Sequence, residues 1–310
     1  MSTVVTLDTE HDGLAGAIAA YWIEGPESTL VDPGPSPSLP TLLDRIEGAG
    51  LDIRELRNVA LTHIHLDHAG ATGEFVRRFP GLTVHVHVDG APHLVDPTRL
   101  VASTRRTFGD AYDRLYGEVL AVPADRIRVW RPGERAGVGS APGATALRAI
   151  PTPGHIDHHL AYLDERDGTM FTGDALGIRL ASEAPPIAPT PPPAIDLAAW
   201  FETLDEVDAI GPERLAPTHF GVDTSPTRER IELFRRELLR LALRVRAALE
   251  AGDADEDAGR YDAEVRDRIA EYMDRDWVDR YFAVFSAAND YRGVRRFLEK
   301  TPGWHPPRVD

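Results

Sequence analysis

Residues 58 to 70 read NVALTHIHLDHAG, which sets His63, His65, Asp67 and His68 directly after a short run of β-forming residues. Imidazoles and carboxylates are unfavourable to bury without partners, so a cluster this dense calls for water or a cation. Residues two apart on an extended chain point the same way, so His63 and His65 can address one ion. Asp67 and His68, at the entry to a helical segment, turn toward a second. Three other stretches are built alike: TPGHIDHH offers His155, FTGDALG offers Asp174 and APTHFG offers His219. Each follows a short β-like run ending in Gly or Pro, where layered α/β proteins assemble sites from separated segments.

Composition narrows the chemistry further. The chain has 310 residues, 42% of them apolar and 27% charged, the profile of a globular protein with a substantial core. A formal net charge of −16 argues against a sequence-independent grip on nucleic acid or anionic lipid, so the expected partner is a small-molecule substrate, with no nucleic acid and no membrane. The absence of cysteine excludes disulfides, thiolate metal sites and a cysteine nucleophile, leaving nitrogen and oxygen to hold any metal. No GxSxG elbow occurs, and the single lysine, Lys300, stands near the end of the chain. No Lys or Arg precedes Arg45, and the apolar run LAGAIAAYWI is too short to span a bilayer, so a cytoplasmic protein is expected.

These residues need elements to position them. STVVTLD, GAIAAYWIEG and STLVDPG read as strands and turns, with Asp-Pro-Gly closing the third, and a helix is expected from Ser38 to about Gly48. NVALT reads as a strand leading into the histidine cluster, followed by helical spacing in GATGEFVRRF. LTVHVHV alternates strictly as a strand does, and Pro97 to Leu120 carries a mostly helical pattern. RIRVW, ALRAIPT, HLAYLDE and TMFTGD supply four more strands, and RLAPTHFG another after a helical IDLAAWFETLDEVDAI. Strands mixed with helices give an α/β (α+β) layered catalytic domain over residues 1–224. A helical C-terminal appendage is expected over 225–310.

Taken together, HxHxDH at His63, His65, Asp67 and His68, with His155, Asp174 and His219, resembles the signature of the metallo-β-lactamase-fold hydrolase superfamily, in its glyoxalase-II-like branch. The resemblance covers about residues 1 to 222 and implies a four-layer αββα sandwich with two metals at one edge of the sheets. It implies that His63, His65 and His155 hold one ion, that Asp67, His68 and His219 hold the other, and that Asp174 bridges both. Asp67 and Asp174 become the catalytic carboxylates. The implied cofactors are two divalent ions, zinc first, with iron or manganese as alternatives. Two ions roughly 3.5 Å apart share a water whose pKa falls toward neutrality, and the resulting hydroxide attacks an ester, thioester, lactone or phosphodiester.

An iron-dependent oxidoreductase resembling the persulfide dioxygenases is the alternative, because imidazole and carboxylate suit iron as well as zinc. The superfamily's di-iron oxygen reductases resemble HxExD at the first motif, and His65 stands where that Glu would be. The glyoxalase-II-type motif GHTxGH is also altered here to GHIDHH, which puts Ile156 and His158 in place of Thr and Gly. His159, at the motif's second His, is expected to orient a neighbour. His158 and His93 are the other candidates for contact with a ligand residue or with substrate. His85 and His87 share a strand face and read as packed side chains.

Two segments stay open at this level. APPIAPTPPPA, residues 184–194, holds six prolines and is either a wall of the cleft or a solvated spacer. In the C-terminal helices Arg alternates with Glu and Asp, the pattern of solvated faces. Their apolar residues suit a small core or a dimer face, and a homodimer is expected.

Overall fold

The computed structural model describes residues 4–131 and 147–307. Ser2, Thr3 and Ala146, at the edges of two expected strands, lie outside the described residues. Two sheets form the centre. The first holds β1 (Val4–Asp8), β2 (Ala19–Ile23), β3 (Ser28–Val31), β4 (Leu56–Ala60), β5 (Thr83–His87) and β6 (Ile127–Trp130) in sequence order. β1 to β3 pair antiparallel and β3 to β6 parallel. The second holds β7 (Leu147–Pro151), β8 (Leu160–Asp164), β9 (Thr169–Gly173) and β10 (Arg214–Pro217), with β10 parallel to β9 and the rest antiparallel.

Alternation along the strands builds the layers. In β2, Ala19, Tyr21 and Ile23 face a cluster that includes Leu160, Tyr162 and Phe171 of the second sheet. Ala20 and Trp22, the intervening residues, join Leu39 and Leu42 of α1 (Leu39–Gly48) and Phe75 of α3 (Thr72–Arg78) on the outer face. The second sheet repeats the scheme, with Ala161, Leu163 and Met170 set against Trp200, Leu204 and Val207 of α7 (Leu197–Ile210). Helix, sheet, sheet, helix is therefore the layer order, and strand period two is its cause.

The C-terminal residues form α8 (Thr227–Ala251), α9 (Ala254–Ala270), α10 (Arg275–Val284) and α11 (Ala287–Lys300). Their apolar faces turn into the body of the chain: Phe234, Leu238, Tyr261, Tyr281 and Tyr291 belong to the same core as Trp200 and Met170. Full burial of such side chains stabilises by about 1.5–3 kcal/mol each. Some of the interleaved acids are buried too. Glu237 of α8 accepts hydrogen bonds from Arg268 of α9 at 2.8 Å and from Arg240 at 2.7 Å. No described helix is long and apolar enough to cross a membrane.

One helical expectation changes. The pattern from Pro97 to Leu120 breaks into α5 (Thr98–Phe108) and α6 (Tyr112–Leu115), because Gly109 has a φ of 53° that no continuing helix accepts. Before them stand α2 (Leu66–Ala69), which carries Asp67 and His68, and α4 (Ala91–Val95), which carries His93.

Candidate metal centre

The loop after β4 supplies His63, α2 begins just after His65, and α2 itself turns Asp67 and His68 inward. His155 comes from the loop after β7, Asp174 follows the last residue of β9, and His219 follows β10. All seven converge. Three groups form in which every donor atom lies within 4.8 Å of the others: His63, His65 and His155; Asp67, His68 and His219; and His63, His68 and Asp174.

Within the first group, His65 Nδ1 stands 2.9 Å from His63 Nε2 and 2.9 Å from His155 Nε2. Nitrogens in a tetrahedral site with bonds of about 2.0–2.1 Å would be roughly 3.3 Å apart, a little wider than these contacts, so the three nitrogens are close enough to share one ion. In the second, Asp67 Oδ2 is 3.5 Å from His219 Nε2 and 3.7 Å from His68 Nε2. Asp174 lies between the two, with Oδ2 3.4 Å from His155 Nε2 and Oδ1 3.4 Å from His68 Nε2.

The far side of each ring fixes which nitrogen faces inward. His68 Nδ1–H donates to Asp32 Oδ2 at 2.8 Å, and His155 Nδ1–H donates to the Pro189 carbonyl at 2.7 Å. His63 Nδ1 meets Thr62 Oγ1 at 3.2 Å, and His219 Nδ1 meets the Ala17 carbonyl at 3.0 Å and the Tyr281 hydroxyl at 3.1 Å. Each of these four rings is thereby held as the tautomer that presents the Nε2 lone pair to the centre. His159 serves differently. Its Nε2 accepts the Asp174 backbone N–H at 3.2 Å while its Nδ1 pairs with Thr152 Oγ1 at 2.7 Å.

Burial pushes the His63 and His159 imidazoles well below their ordinary range, with neighbouring imidazoles adding to the effect. It lowers His65 to about 3 and lowers His155 as well. For Asp67 and Asp174 burial works the other way, yet the nearby imidazoles, His68 foremost, outweigh it and hold both carboxyls below their usual range. His68 is opposed by burial but held up by the Asp174, Asp67 and Asp32 carboxylates, and lies above its ordinary value. Neutral imidazoles and ionised carboxylates are the forms that bind divalent cations, so His68 alone among these would have to release a proton to an ion.

Asp32 was legible in the sequence only as a turn residue. Fully buried at the end of β3, with a φ of 47°, it accepts from Thr62 N–H at 2.8 Å, Thr62 Oγ1 at 2.7 Å and Thr218 Oγ1 at 2.9 Å besides His68. One carboxylate thus ties down the residues just before His63 and His219 as well as a third imidazole. Its signal was present, since VDPG is another strand closed by Pro and Gly with an acid at its end. Gly173 is a second precondition. Its φ is 50°, and a Cβ there would lie 2.6 Å from Thr62 Oγ1 and 2.7 Å from His159 Nε2.

The centre opens into a cavity of about 380 Å³. His93, half-buried on α4, and His158, buried, both reach its wall. His158 Nδ1 pairs with Asp157 Oδ1 at 2.8 Å, and its Nε2 has no hydrogen-bond partner among the described residues. His85 and His87 lie off the centre: His85 Nε2–H donates to Asn58 Oδ1 at 2.9 Å, and His87 Nδ1 accepts the Asp89 N–H at 3.2 Å. The proline-rich segment lines the cavity through Pro189 and Pro191 to Ala194, and residues 186–190 are buried.

Comparison with known proteins gives a consistent picture. The sequence profile of the metallo-beta-lactamase superfamily matches residues 13–219. The metallo-beta-lactamase fold-containing protein ST1585 of Sulfurisphaera tokodaii is 28% identical over 171 residues, 54% of this chain and 62% of that protein. The atrochrysone carboxyl ACP thioesterase nsrC of Aspergillus novofumigatus is 27% identical over 54% of this chain and 38% of its own length. This chain spans less than two thirds of the length of the curated relatives it matches. Among solved structures, the metallo-beta-lactamase family protein TTHA1429 from Thermus thermophilus superposes with a TM-score of 0.62 at 22% identity, covering 93% of this chain and 91% of that one. TTHA1623, solved in a di-iron-bound form, gives a TM-score of 0.51 at 24% identity over 76% of this chain and 98% of its own.

Proposed function

This chain belongs to the metallo-beta-lactamase superfamily, and from that premise we propose that it is a metallo-hydrolase that cleaves a carboxylic ester or thioester at a two-metal centre. The observation that carries the proposal is the pair of donor groups meeting at Asp174. His68 Nε2 and Asp174 Oδ1 are buried 3.4 Å apart and make no hydrogen bond among the described residues, and a cation between them would satisfy both. The donor set of imidazole nitrogen and carboxylate oxygen fits zinc, and it fits iron as well.

In this reading His63, His65 and His155 would hold one ion and Asp67, His68 and His219 a second, with Asp174 standing between the two groups. Two divalent ions bound there would acidify a shared water and polarise the scissile carbonyl. The chain's own residues do the rest. Asp32, Pro189, Ala17 and Thr62 keep the ring N–H groups turned away from the centre, so that lone pairs face it. His159 steadies the Asp174 backbone, and Ile64, Leu66 and Phe285 shed water from the cavity. His158 Nε2 and His93 are placed to hydrogen-bond a substrate or its leaving group. Thioesterase names among the relatives favour an acyl substrate over a phosphodiester.

Metal analysis of protein purified without added metal, with turnover of thioesters, esters, lactones and phosphodiesters, tests this. Two zinc per chain with acyl hydrolysis supports it. One iron with oxygen uptake replaces it with the oxidoreductase alternative. A cytoplasmic setting and a homodimer through α8 to α11 complete the proposal. Leu233 and Leu243, exposed on α8, are where such a contact would begin, and sedimentation as a monomer would remove it.

A further inference from the structure

We infer that the substrate carries a carboxylate or similar anion at the end remote from the scissile bond, and that Arg99 is the residue that selects it. The inference rests on the hydrolase reading above, which places the reacting carbonyl at the Asp174 end of the cavity.

The cavity's acidic residues are Asp67 and Asp174, which belong to the candidate metal centre and make that end its floor, and Asp290, buried at the start of α11. Arg99, exposed in the first turn of α5, is the one Lys or Arg among the described residues that line the cavity. It makes no hydrogen bond or ion pair with any described residue, although Asp96 feels its charge. Arg105, on the same helix, contrasts with it: that guanidinium is held by Asp113 at 2.6 Å and lies over the Tyr112 ring. An unpaired guanidinium on the wall of a cleft, in a chain of net charge −16, is a receptor for an anion.

Beside Arg99 the lining is mainly apolar, with Ser103, Thr104, Thr107, His93 and His158 set among it. The cavity side of α5 presents Leu100, Ser103, Thr104, Thr107 and Phe108, and no residue of this helix is fully buried. The Thr104 hydroxyl bonds the Leu100 carbonyl at 3.0 Å and the Thr107 hydroxyl bonds the Ser103 carbonyl at 3.3 Å, so neither needs a partner in the cavity. Ile156, Pro191, Val284 and Phe285 face it from other elements. Arg99 to Phe108 spans about 13 Å of helix at about 1.5 Å per residue, long enough for an extended acyl chain. An acyl ester or thioester with an apolar body and an anionic terminus suits this lining.

The test uses the metal-loaded full chain and paired p-nitrophenyl esters of equal carbon count: the monoesters of adipic and suberic acids against the hexanoate and octanoate. The native protein is expected to prefer the anionic member of each pair about tenfold in kcat/KM, through a lower KM. Arg99→Gln should abolish that preference, and Arg99→Lys should restore part of it. Equal rates on both members with the native protein, or a preference that survives in Arg99→Gln, overturns the inference and leaves the hydrolase reading standing. If no ester is turned over, the hydrolase reading falls and calorimetric binding of suberate decides the inference. Binding weakened about tenfold in Arg99→Gln upholds it, and binding equal to that of the native protein overturns it.

Discussion

Asp290, on the last helix, accepts the backbone N–H of Thr190 at 2.8 Å, while the Thr190 hydroxyl returns a hydrogen bond to the Asp290 carbonyl at 2.9 Å. The residue before Thr190 is Pro189, whose carbonyl receives the His155 Nδ1–H. Helix α11 therefore reaches the metal centre through two hydrogen-bonded steps. The approach is close, because a Cβ on Gly293, one turn after Asp290, would lie 1.8 Å from the Thr190 carbonyl oxygen. The proline-rich segment is held between the centre and α11.

Asp290→Ala should free Thr190 and with it the orientation of His155. Partners of ligating histidines are worth about 10–100-fold in metal affinity or activity, and a loss near the low end is expected here because the link is indirect. Asp290→Asn keeps an acceptor for the Thr190 N–H and should recover most of the affinity. Competition with a chromophoric chelator measures both variants, and equal affinity in Asp290→Ala and the native protein would break the link.

Asp32→Asn tests the other support. Asparagine tolerates the left-handed backbone at this position, but it lacks the second acceptor oxygen and the charge that hold His68, Thr62 and Thr218. Zinc affinity should fall about 10–100-fold. Unpairing even one of the buried donors should lower stability by about 1–3 kcal/mol, read from urea unfolding.

Asp174→Ala should abolish metal-dependent turnover, because among the described residues Asp174 is the single carboxylate paired with both His68 and His155. Retention of one ion per chain with no activity would fit its place between two groups. Full activity would remove it from the reaction.

Acid stability should carry the signature of His85. Burial, with help from the Arg128 charge, lowers this imidazole to about 3. Its Nδ1 has no hydrogen-bond partner among the described residues, so a proton there would be stranded. The unfolded chain takes up that proton near pH 6.5, while the folded chain does not until about 3. The group's contribution is therefore complete above pH 6.5 and is lost as pH falls from 6.5 toward 3, at about 1.4 kcal/mol per pH unit. Unfolding free energies of the native protein and His85→Gln, compared between pH 5 and 6.5 under one metal condition, should differ in slope by about one proton.

Much of the centre is local and could be read directly. HxHxDH needs only a strand end and one helical turn to gather four side chains able to bind a metal. His155, Asp174 and His219 each announce themselves beside a Gly or Pro at a strand terminus. Strand period two likewise specifies the layered sheets, because it sorts Tyr21 from Trp22 without reference to any other segment.

What the linear chain could not disclose were partners set by packing. Asp32 lies 36 residues from His68, Tyr281 lies 62 from His219 and Asp290 lies 100 from Thr190. Each looks in isolation like a turn acid, a core aromatic or a helix charge, since residue type does not encode what it will meet. The helices after residue 225 read as an appendage because their pattern is self-contained. Only the tertiary structure turned α10 onto His219 and α11 onto the proline-rich segment, where burial of their apolar faces carries Tyr281 and Asp290 to the edge of the site. The sequence by itself determined which atoms can bind a cation, and tertiary packing decided which of their protons point away from it.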